Sequence, residues 1–302
     1  MNYYNEIKNE LINNEIYKKV KDYSKNKNDL ETYYKVGKLL FDAGKHYGEG
    51  IIKEYSNRLT LELNKKYDIS SLNKMKKFYV LFEKMATVSP NLSYSHYVEV
   101  LSIKNINEIE YYLNIAEKEN LSVRELRTRI KLKEYERLDE NTRLKLIRKA
   151  ETNVSDFIKN PIILSNPNNY EENKEYALKQ IILDDIPVFL EQLGEGFSFI
   201  KDEYKIKLGN NYNYIDLLLF NYIYNCFVVV ELKITKLKKE HIGQIKLYMN
   251  YIDENIRKIN QDKTIGIIIC KEDDKYVIKY CSDDRIYQTK YILDNKEKDY
   301  VL

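Results

Sequence analysis

The sequence has no tryptophan, only three cysteines and only three histidines in 302 residues. The cysteines, Cys226, Cys270 and Cys281, are odd in number and show no C-x-x-C spacing, which argues against a disulfide framework and favours buried thiols. Three histidines are too few for a histidine-rich zinc site. A metal ion bound by this chain is therefore expected to be held by carboxylates.

Long apolar segments are also absent. The longest apolar runs, residues 226–230 and 265–270, have the length of a β-strand. They fall far short of the roughly 20 residues that a membrane helix needs. Residues 1–10 contain no apolar stretch of the kind that a secretory signal requires. These features predict no membrane association and a cytoplasmic location.

The net charge is only +3, which does not by itself establish a nucleic-acid partner. The charge is unevenly distributed, because residues 121–150 hold ten basic against five acidic residues and residues 232–246 hold five lysines against one acid. A charge cluster is often a solvated helix face, but it also suits a surface that follows a phosphodiester backbone. The candidate nucleic-acid contacts in these clusters are Arg124, Arg127, Lys236, Lys238 and Lys239.

The first half of the chain has helical periodicity, with apolar residues three and four positions apart as far as about residue 150. The pattern predicts an all-α domain, with one helix ending at Gly44 and another opened by Ser122. Residues 136–157 are charged and lack a clear apolar stripe, which is typical of a linker or an exposed helix. We place the domain boundary near Thr152, which gives a helical domain of residues 1–151 and a second domain of residues 152–302.

The second half changes to the two-residue period of β-strands after a helix that starts near Tyr170 and restarts at Pro187. Strands are predicted at residues 197–200, 204–208, 214–220 and 227–234, followed by a helix over residues 239–259. Further strands are predicted at residues 265–270 and 276–280. The predicted order indicates an α/β domain in a protein that is α+β overall.

Two of these strands carry the most informative residues. If the short segment of residues 222–225 forms a hairpin turn centred between Ile223 and Tyr224, Asp216 lies opposite Glu231. Because strand side chains alternate, Lys233 shares the face of Glu231.

Such a trio can be an ordinary cross-strand ion pair that adds little stability. Glu231, however, follows an apolar run typical of a buried strand, where a charge is costly unless something compensates it. A divalent cation would do so, because Mg²⁺ prefers carboxylate oxygens and keeps several waters. Lys233 could then position the attacking water or stabilise the charge that develops on phosphorus.

These residues resemble the D…ExK signature of the PD-(D/E)xK nuclease superfamily, although Ile215 stands where the name of the motif has proline. Gln244-Ile-Lys-Leu-Tyr248 resembles the Q-x-x-x-Y motif of the RecB-like branch. The wider context is similar to the YhcG family, formerly DUF1016, in residues 189–197, 214–220, 230–233, 243–244 and 264–270.

The resemblance implies a nuclease core of α-β-β-β-α-β order, with a central mixed sheet flanked by helices, behind an N-terminal helical domain that binds DNA. It implies Mg²⁺ or Mn²⁺ at Asp216 and Glu231. It also implies an acid in the first helix of the core, for which Glu175 is the candidate and Glu171 and Glu172 are rivals.

The same resemblance makes Gln244 a candidate site residue, although a helix glutamine is usually a solvated surface residue. Tyr248 lies one turn further on and is either a nucleic-acid contact or a core residue. The expected function is a metal-dependent endonuclease that hydrolyses phosphodiester bonds in DNA.

Two other functions are compatible with the sequence. The chain could keep the nuclease fold but act by binding nucleic acid, as a subunit of a defence or mobile-element system. The helical half could instead be a dimerisation module in a homo-oligomer.

Overall fold

A computed structural model describes residues 2–19, 25–85, 89, 91–171, 174–281 and 283–294. Within it the chain divides into two compact units, Met1–Tyr135 and Glu136–Leu302. The sequence pattern placed the boundary later, near Thr152. None of the described helices combines the length and the apolar character that crossing a bilayer would need.

The described part of the first unit is helical. Apolar side chains that recur every three or four residues form its core, which includes Ile7, Leu40, Leu59 and Leu72. The helices are α1 (Tyr3–Lys19), α2 (Lys25–Tyr47), α3 (Ile51–Leu63), α4 (Ile69–Phe82), α5 (Tyr94–Val100), α6 (Ile106–Lys118) and α7 (Val123–Lys131).

Helix α2 continues past Gly44, so the predicted helix end at that glycine was wrong. A glycine is needed earlier in the same helix, where α2 crosses α4. A Cβ atom added at Gly37 would lie 2.2 Å from the backbone oxygen of Met75. Gly37 therefore allows α2 to pack closely on α4. The helix ends only after Tyr47.

Helix α7 begins as the sequence predicted, with Ser122 as its N-cap. The amide of Glu125 donates to the Ser122 hydroxyl at 3.3 Å, and the amide of Ser122 donates to the Glu125 carboxylate at 2.7 Å. Together these bonds form a capping box that satisfies two otherwise unpaired amides. We expect Ser122→Ala to lower the free energy of unfolding of the helical unit by about 1 kcal/mol. Urea denaturation followed by circular dichroism measures this change, with Ser102→Ala, an exposed serine outside any helix, as the control.

The second unit contains all the described strands and the remaining helices. Its elements are α8 (Glu140–Arg148), β1 (Ile162–Ser165), α9 (Glu175–Asp184), α10 (Ile186–Leu193), β2 (Phe197–Leu208), β3 (Asn211–Asn221), β4 (Cys226–Lys236), α11 (Lys239–Asn255), β5 (Asp262–Glu272), α12 (Lys275–Cys281) and β6 (Ile286–Asp294).

Helix α8 explains why the unit begins before the predicted boundary. Lys145 donates to both carboxylate oxygens of Asp156 at 2.9 Å, and the Thr142 hydroxyl donates to the same carboxylate at 3.2 Å. Asp156 is buried, so these bonds attach α8 to the start of the sheet domain. The charged segment that resembles a linker is thus a folded part of the second unit.

The described strands form one mixed sheet of six, in the order β1-β6-β5-β4-β3-β2. Strands β4, β5, β6 and β1 are mutually parallel, whereas β2, β3 and β4 form an antiparallel meander. Helices α9 and α10 pack on one face of the sheet and α11 packs on the other. The α+β architecture with a helix-flanked mixed sheet, predicted from the sequence, is confirmed.

The predicted strand at residues 276–280 was wrong, because the segment forms helix α12. The carboxylate of Asp274 accepts from the amides of Tyr276 and Val277 at 2.9 and 3.2 Å. These bonds cap the first turn of a helix. The last strand of the sheet is instead β6, which pairs in parallel with β5.

Candidate active site

The β3–β4 hairpin has the register that the turn position predicts. Its pairs run from Leu217 opposite Val230 to Asn221 opposite Cys226. One residue beyond Leu217, the carboxylate of Asp216 accepts from the backbone amide of Leu232 at 2.9 Å. This hydrogen bond links the Asp216 side chain to β4 and fixes the carboxylate beside Glu231.

Glu231 is 2% exposed, deep in the central strand β4. Its Oε1 atom accepts from Lys233 Nζ at 3.1 Å and from Gln244 Nε2 at 3.0 Å. Its Oε2 atom is buried and has no hydrogen-bond partner among the described residues. A buried carboxylate oxygen without a partner is costly, so this atom requires a proton or a cation.

Burial, followed by the negative charge of Asp216, raises the pKa of Glu231 from its ordinary value to about 8, while Lys233 acts in the opposite direction. For Lys233, burial favours the neutral amine, but the charges of Glu231 and Glu175 outweigh it and raise the pKa above its usual value. Lys233 is therefore a fixed cation, and the proton of Glu231 is the one that can be displaced near neutral pH.

Glu175 is the first residue of α9, and its side chain is half exposed. Its Oε1 atom lies 3.7 Å from Lys233 Nζ. The rival Glu171 forms an ion pair with Lys174, and Glu172 lies outside the described residues. Of the two described acids, the structure thus brings Glu175 to Lys233.

Gln244 lies in the second turn of α11 and donates from Nε2 to both Glu231 Oε1, at 3.0 Å, and the Tyr248 hydroxyl, at 3.1 Å. Tyr248 is 4% exposed and packs in the core between α11 and the sheet. A ring in that position cannot stack on a base, so the interpretation of Tyr248 as a nucleic-acid contact fails and that of a core residue stands. Its hydroxyl instead helps to orient the Gln244 amide.

Two further groups beside the site were not among the residues that the sequence analysis identified. The Leu232 amide that fixes Asp216 is a backbone atom, which a side-chain motif does not reveal. His241 is half-buried in the first turn of α11, and burial followed by the positive charge of Lys233 lowers its pKa. The helical position of His241, three residues before Gln244, is the only hint that the sequence offers.

The five basic residues predicted to contact nucleic acid are exposed, but some already have partners. In the second unit, Lys236 pairs with Asp274 at 2.9 Å and Lys239 with Glu240 at 4.0 Å, and Lys238 is the exposed N-cap residue of α11. In the first unit, Arg124 is exposed and Arg127 makes two bonds to Glu99, at 2.9 and 2.7 Å.

The residues present fit a hard divalent cation. Asp216 and Glu231 supply carboxylate oxygens, and the unpartnered Glu231 Oε2 is available to a cation. The described residues contain no group of three or more His, Cys, Asp or Glu side chains that could enclose an ion. An open site with two carboxylates is the kind that suits Mg²⁺, which retains waters and shares its shell with substrate phosphates.

Comparison with known proteins matches both units to one family. Residues 9–137 match the DUF1016 N-terminal domain, and residues 155–299 match the YhcG PDDEXK nuclease domain. The chain is 26% identical over 289 residues to the protein named "Putative nuclease YhcG" of Escherichia coli (strain K12), covering 80% of this chain and 76% of that protein.

Among solved structures, the chain is similar to a repair endonuclease from Pyrococcus abyssi, at 21% identity and a TM-score of 0.29, over 40% of this chain and 48% of that one. It is also similar to EndoMS in a complex with double-stranded DNA, at 18% identity and a TM-score of 0.29, over 42% of this chain and 48% of that one. The similarity thus spans less than half the length of either structure.

The helix-flanked mixed sheet, with Asp216, Glu231 and Lys233 at one site, defines the second unit as a nuclease domain of the PD-(D/E)xK type. A DUF1016 N-terminal domain precedes it. The chain belongs to the YhcG (DUF1016) family.

Proposed function

We propose that this protein is an endonuclease that depends on Mg²⁺ or Mn²⁺ and hydrolyses phosphodiester bonds in DNA. The observation that carries the proposal is the buried, unpartnered Oε2 atom of Glu231 beside the Asp216 carboxylate. An oxygen in that state destabilises the folded protein unless a proton or a cation binds it. Binding of a divalent cation would explain why the protein has a buried carboxylate oxygen at this position.

Each side chain of the site has a distinct part in this proposal. Asp216, held by the Leu232 amide, and Glu231, held by Lys233 and Gln244, would bind the ion. When bound, the divalent ion would lower the pKa of a water and polarise a phosphate oxygen. Lys233 is a fixed cation that would orient the attacking water or stabilise charge on the phosphate.

Glu175 and Gln244 are positioning residues in the proposal, because each acts through another member of the site. The half-exposed Glu175 carboxylate lies 3.7 Å from the Lys233 ammonium and would hold it in place. Gln244 directs Glu231 Oε1, which leaves Oε2 to face the ion. Lys236, Lys238 and Lys239 would contact phosphates beside the site, and the helical domain, through Arg124 and Arg127, would add nucleic-acid affinity.

We expect Gln244→Ala to weaken Mn²⁺ binding by about 10- to 100-fold, because residues that hold a metal ligand typically contribute that much to affinity. Titration calorimetry measures the affinity. Asn250→Ala is the matched control, since it removes an amide side chain from the exposed side of the same helix. Equal affinities in the two variants would show that Gln244 does not position Glu231.

The experiment that tests the function is cleavage of plasmid, duplex and single-stranded DNA by the full chain in Mg²⁺, in Mn²⁺ and in EDTA. We expect cleavage with either ion and none in EDTA. Cleavage that is unaffected by EDTA would contradict the proposal. Salt-sensitive DNA binding without cleavage in either ion would favour the alternative of a binding or assembly subunit.

Other expectations from the sequence stay predictions. They are the cytoplasmic location, a homo-oligomer, and partner subunits of a defence or mobile-element system.

A further inference from the structure

The β2–β3 hairpin extends beyond the residues of β3 that pair with β4. The pairing of β3 with β4 starts at Leu217, whereas the pairing of β3 with β2 extends back to Asn211 opposite Leu208. Residues 204–208 and 211–215 thus form a two-stranded ribbon, which we call the β2–β3 ribbon. It leads directly into Asp216 along β3.

The two faces of this ribbon differ in character. Ile206 and Ile215 are buried, at 1% and 0% exposure, in the cluster that contains α11. The alternate residues are exposed, and they pair across the ribbon as Lys205 with Tyr214 and Lys207 with Tyr212. Because directly opposed residues share a face, the two lysines and two tyrosines form one surface.

Both tyrosine side chains of this surface are more than half exposed to solvent. Tyr212 is 55% exposed and Tyr214 is 52% exposed. The ammonium of Lys205 lies 3.8 Å from the centre of the Tyr212 ring, so a cation and an aromatic face are presented together. Burying these rings against the core would stabilise the protein, yet they face solvent.

An aromatic ring next to a cation matches the chemistry of single-stranded nucleic acid. Stacking requires a base whose face is free, and bases inside a duplex are covered by their neighbours. Lysines beside the rings can bind the phosphates of the same strand without reading its sequence. A partner that presents only phosphates would contact the lysines, and no base would stack on either tyrosine ring.

The position of the ribbon adds a second argument. Tyr214 and Tyr212 precede Asp216 by two and four residues of extended strand, which span about 6.8 Å and about 13.6 Å. These lengths correspond to about two and about four base steps of roughly 3.4 Å. A strand whose phosphate lies at Asp216 would therefore have its next bases within reach of the rings.

We propose that the β2–β3 ribbon holds single-stranded DNA next to the cleavage site through Tyr212, Tyr214, Lys205 and Lys207. The choice of DNA rests on the proposed function. The preferred substrates of the protein are then DNAs with an unpaired segment beside the bond to be cut, such as single strands, flaps and branched junctions.

The test measures binding by the full chain in EDTA, so that no cleavage occurs. The probes are a single-stranded DNA oligonucleotide carrying 2-aminopurine, its duplex, and a single-stranded RNA of the same sequence. We expect Tyr212→Ala/Tyr214→Ala to weaken binding of the single-stranded DNA by about tenfold or more. Duplex binding should change by less than about twofold, and the 2-aminopurine quenching seen with the unmodified protein should be lost.

Two further variants separate ring stacking from a general effect on folding. Tyr212→Phe/Tyr214→Phe keeps both rings and should bind single-stranded DNA within about twofold of the unmodified protein. Tyr222→Ala is the matched control, because it removes a tyrosine of 65% exposure from the turn that follows β3, at the end away from the ribbon. Lys205→Ala/Lys207→Ala should reduce the salt dependence of binding.

Unchanged single-strand binding in Tyr212→Ala/Tyr214→Ala, an equal loss of duplex binding, or tighter binding of the RNA would each overturn the ribbon proposal. Because binding is measured without metal, the result is independent of cleavage. Loss of single-strand binding in a protein that never cuts DNA would support the ribbon and contradict only the nuclease proposal.

Discussion

We expect Glu231→Gln, Asp216→Asn and Lys233→Ala each to reduce the rate of Mg²⁺-dependent DNA cleavage by roughly 10²–10³-fold or more. The first two changes keep the shape of the side chain but remove a charge that would hold the ion. The third removes the ammonium group that forms an ion pair with Glu231, with Lys233 Nζ 3.1 Å from Oε1. Initial rates on a labelled DNA substrate, at saturating protein, measure the loss.

Matched controls on the same sheet domain distinguish a site effect from a loss of charge. Glu254→Gln removes an exposed acid near the C-terminal end of α11. Lys263→Ala removes an exposed lysine at the start of β5, whereas Lys233 lies opposite Cys270 near the end of that strand. Both controls should cut at nearly the rate of the unmodified protein. Cleavage by Glu231→Gln at the control rate would show that the site has been assigned to the wrong residues.

A second large effect is expected in the absence of metal, where Glu231→Gln should stabilise the sheet domain. The folded-state pKa of Glu231 is about 8, above its ordinary value of 4.5, because burial and Asp216 disfavour its ionised form. Each pKa unit corresponds to about 1.4 kcal/mol. We expect the variant to raise the free energy of unfolding by roughly 2–4 kcal/mol at pH 8 in EDTA.

The pH dependence follows from the sign of the shift. Between pH 4.5 and about 8 the folded protein holds a proton on Glu231 that the unfolded chain has lost. The contribution of Glu231 to stability is therefore complete below pH 4.5 and is lost as the pH rises through about 8. In Glu231→Gln this decline should be absent.

Chemical denaturation of the full chain between pH 5 and pH 9, with and without Mg²⁺, measures both effects. The ion should stabilise the unmodified protein and Glu254→Gln, since binding to the folded state alone favours folding. It should leave Glu231→Gln nearly unchanged. If Glu231→Gln is no more stable than the unmodified protein at pH 8 in EDTA, the buried Glu231 carboxylate does not destabilise the folded protein.

The site geometry was predictable from the sequence where local rules determine it. A short connection between two apolar strands sets the hairpin register, and the pair Leu217–Val230 confirms the predicted turn position. The burial of Glu231 followed from the apolar run before it. Gln244 could be proposed only from its motif, because its contact with Glu231 depends on how α11 packs on the sheet.

Other features depended on contacts that no local pattern reveals. The charged segment around α8 resembled a linker because its anchor, Asp156, lies eleven residues beyond Lys145. The segment after Asp274 is rich in aromatic and β-branched residues, as strands are, and the signal for helix α12 was the capping aspartate that precedes it. Gly44 suggested a helix end, although α2 continues to Tyr47.

The most direct test is the anomalous scattering of Mn²⁺ in crystals of the full chain. We predict one strong peak in contact with the carboxylates of both Asp216 and Glu231, and no such peak in crystals of Glu231→Gln. A Mn²⁺ peak at other residues, with these two carboxylates left without an ion, would contradict the proposed metal site.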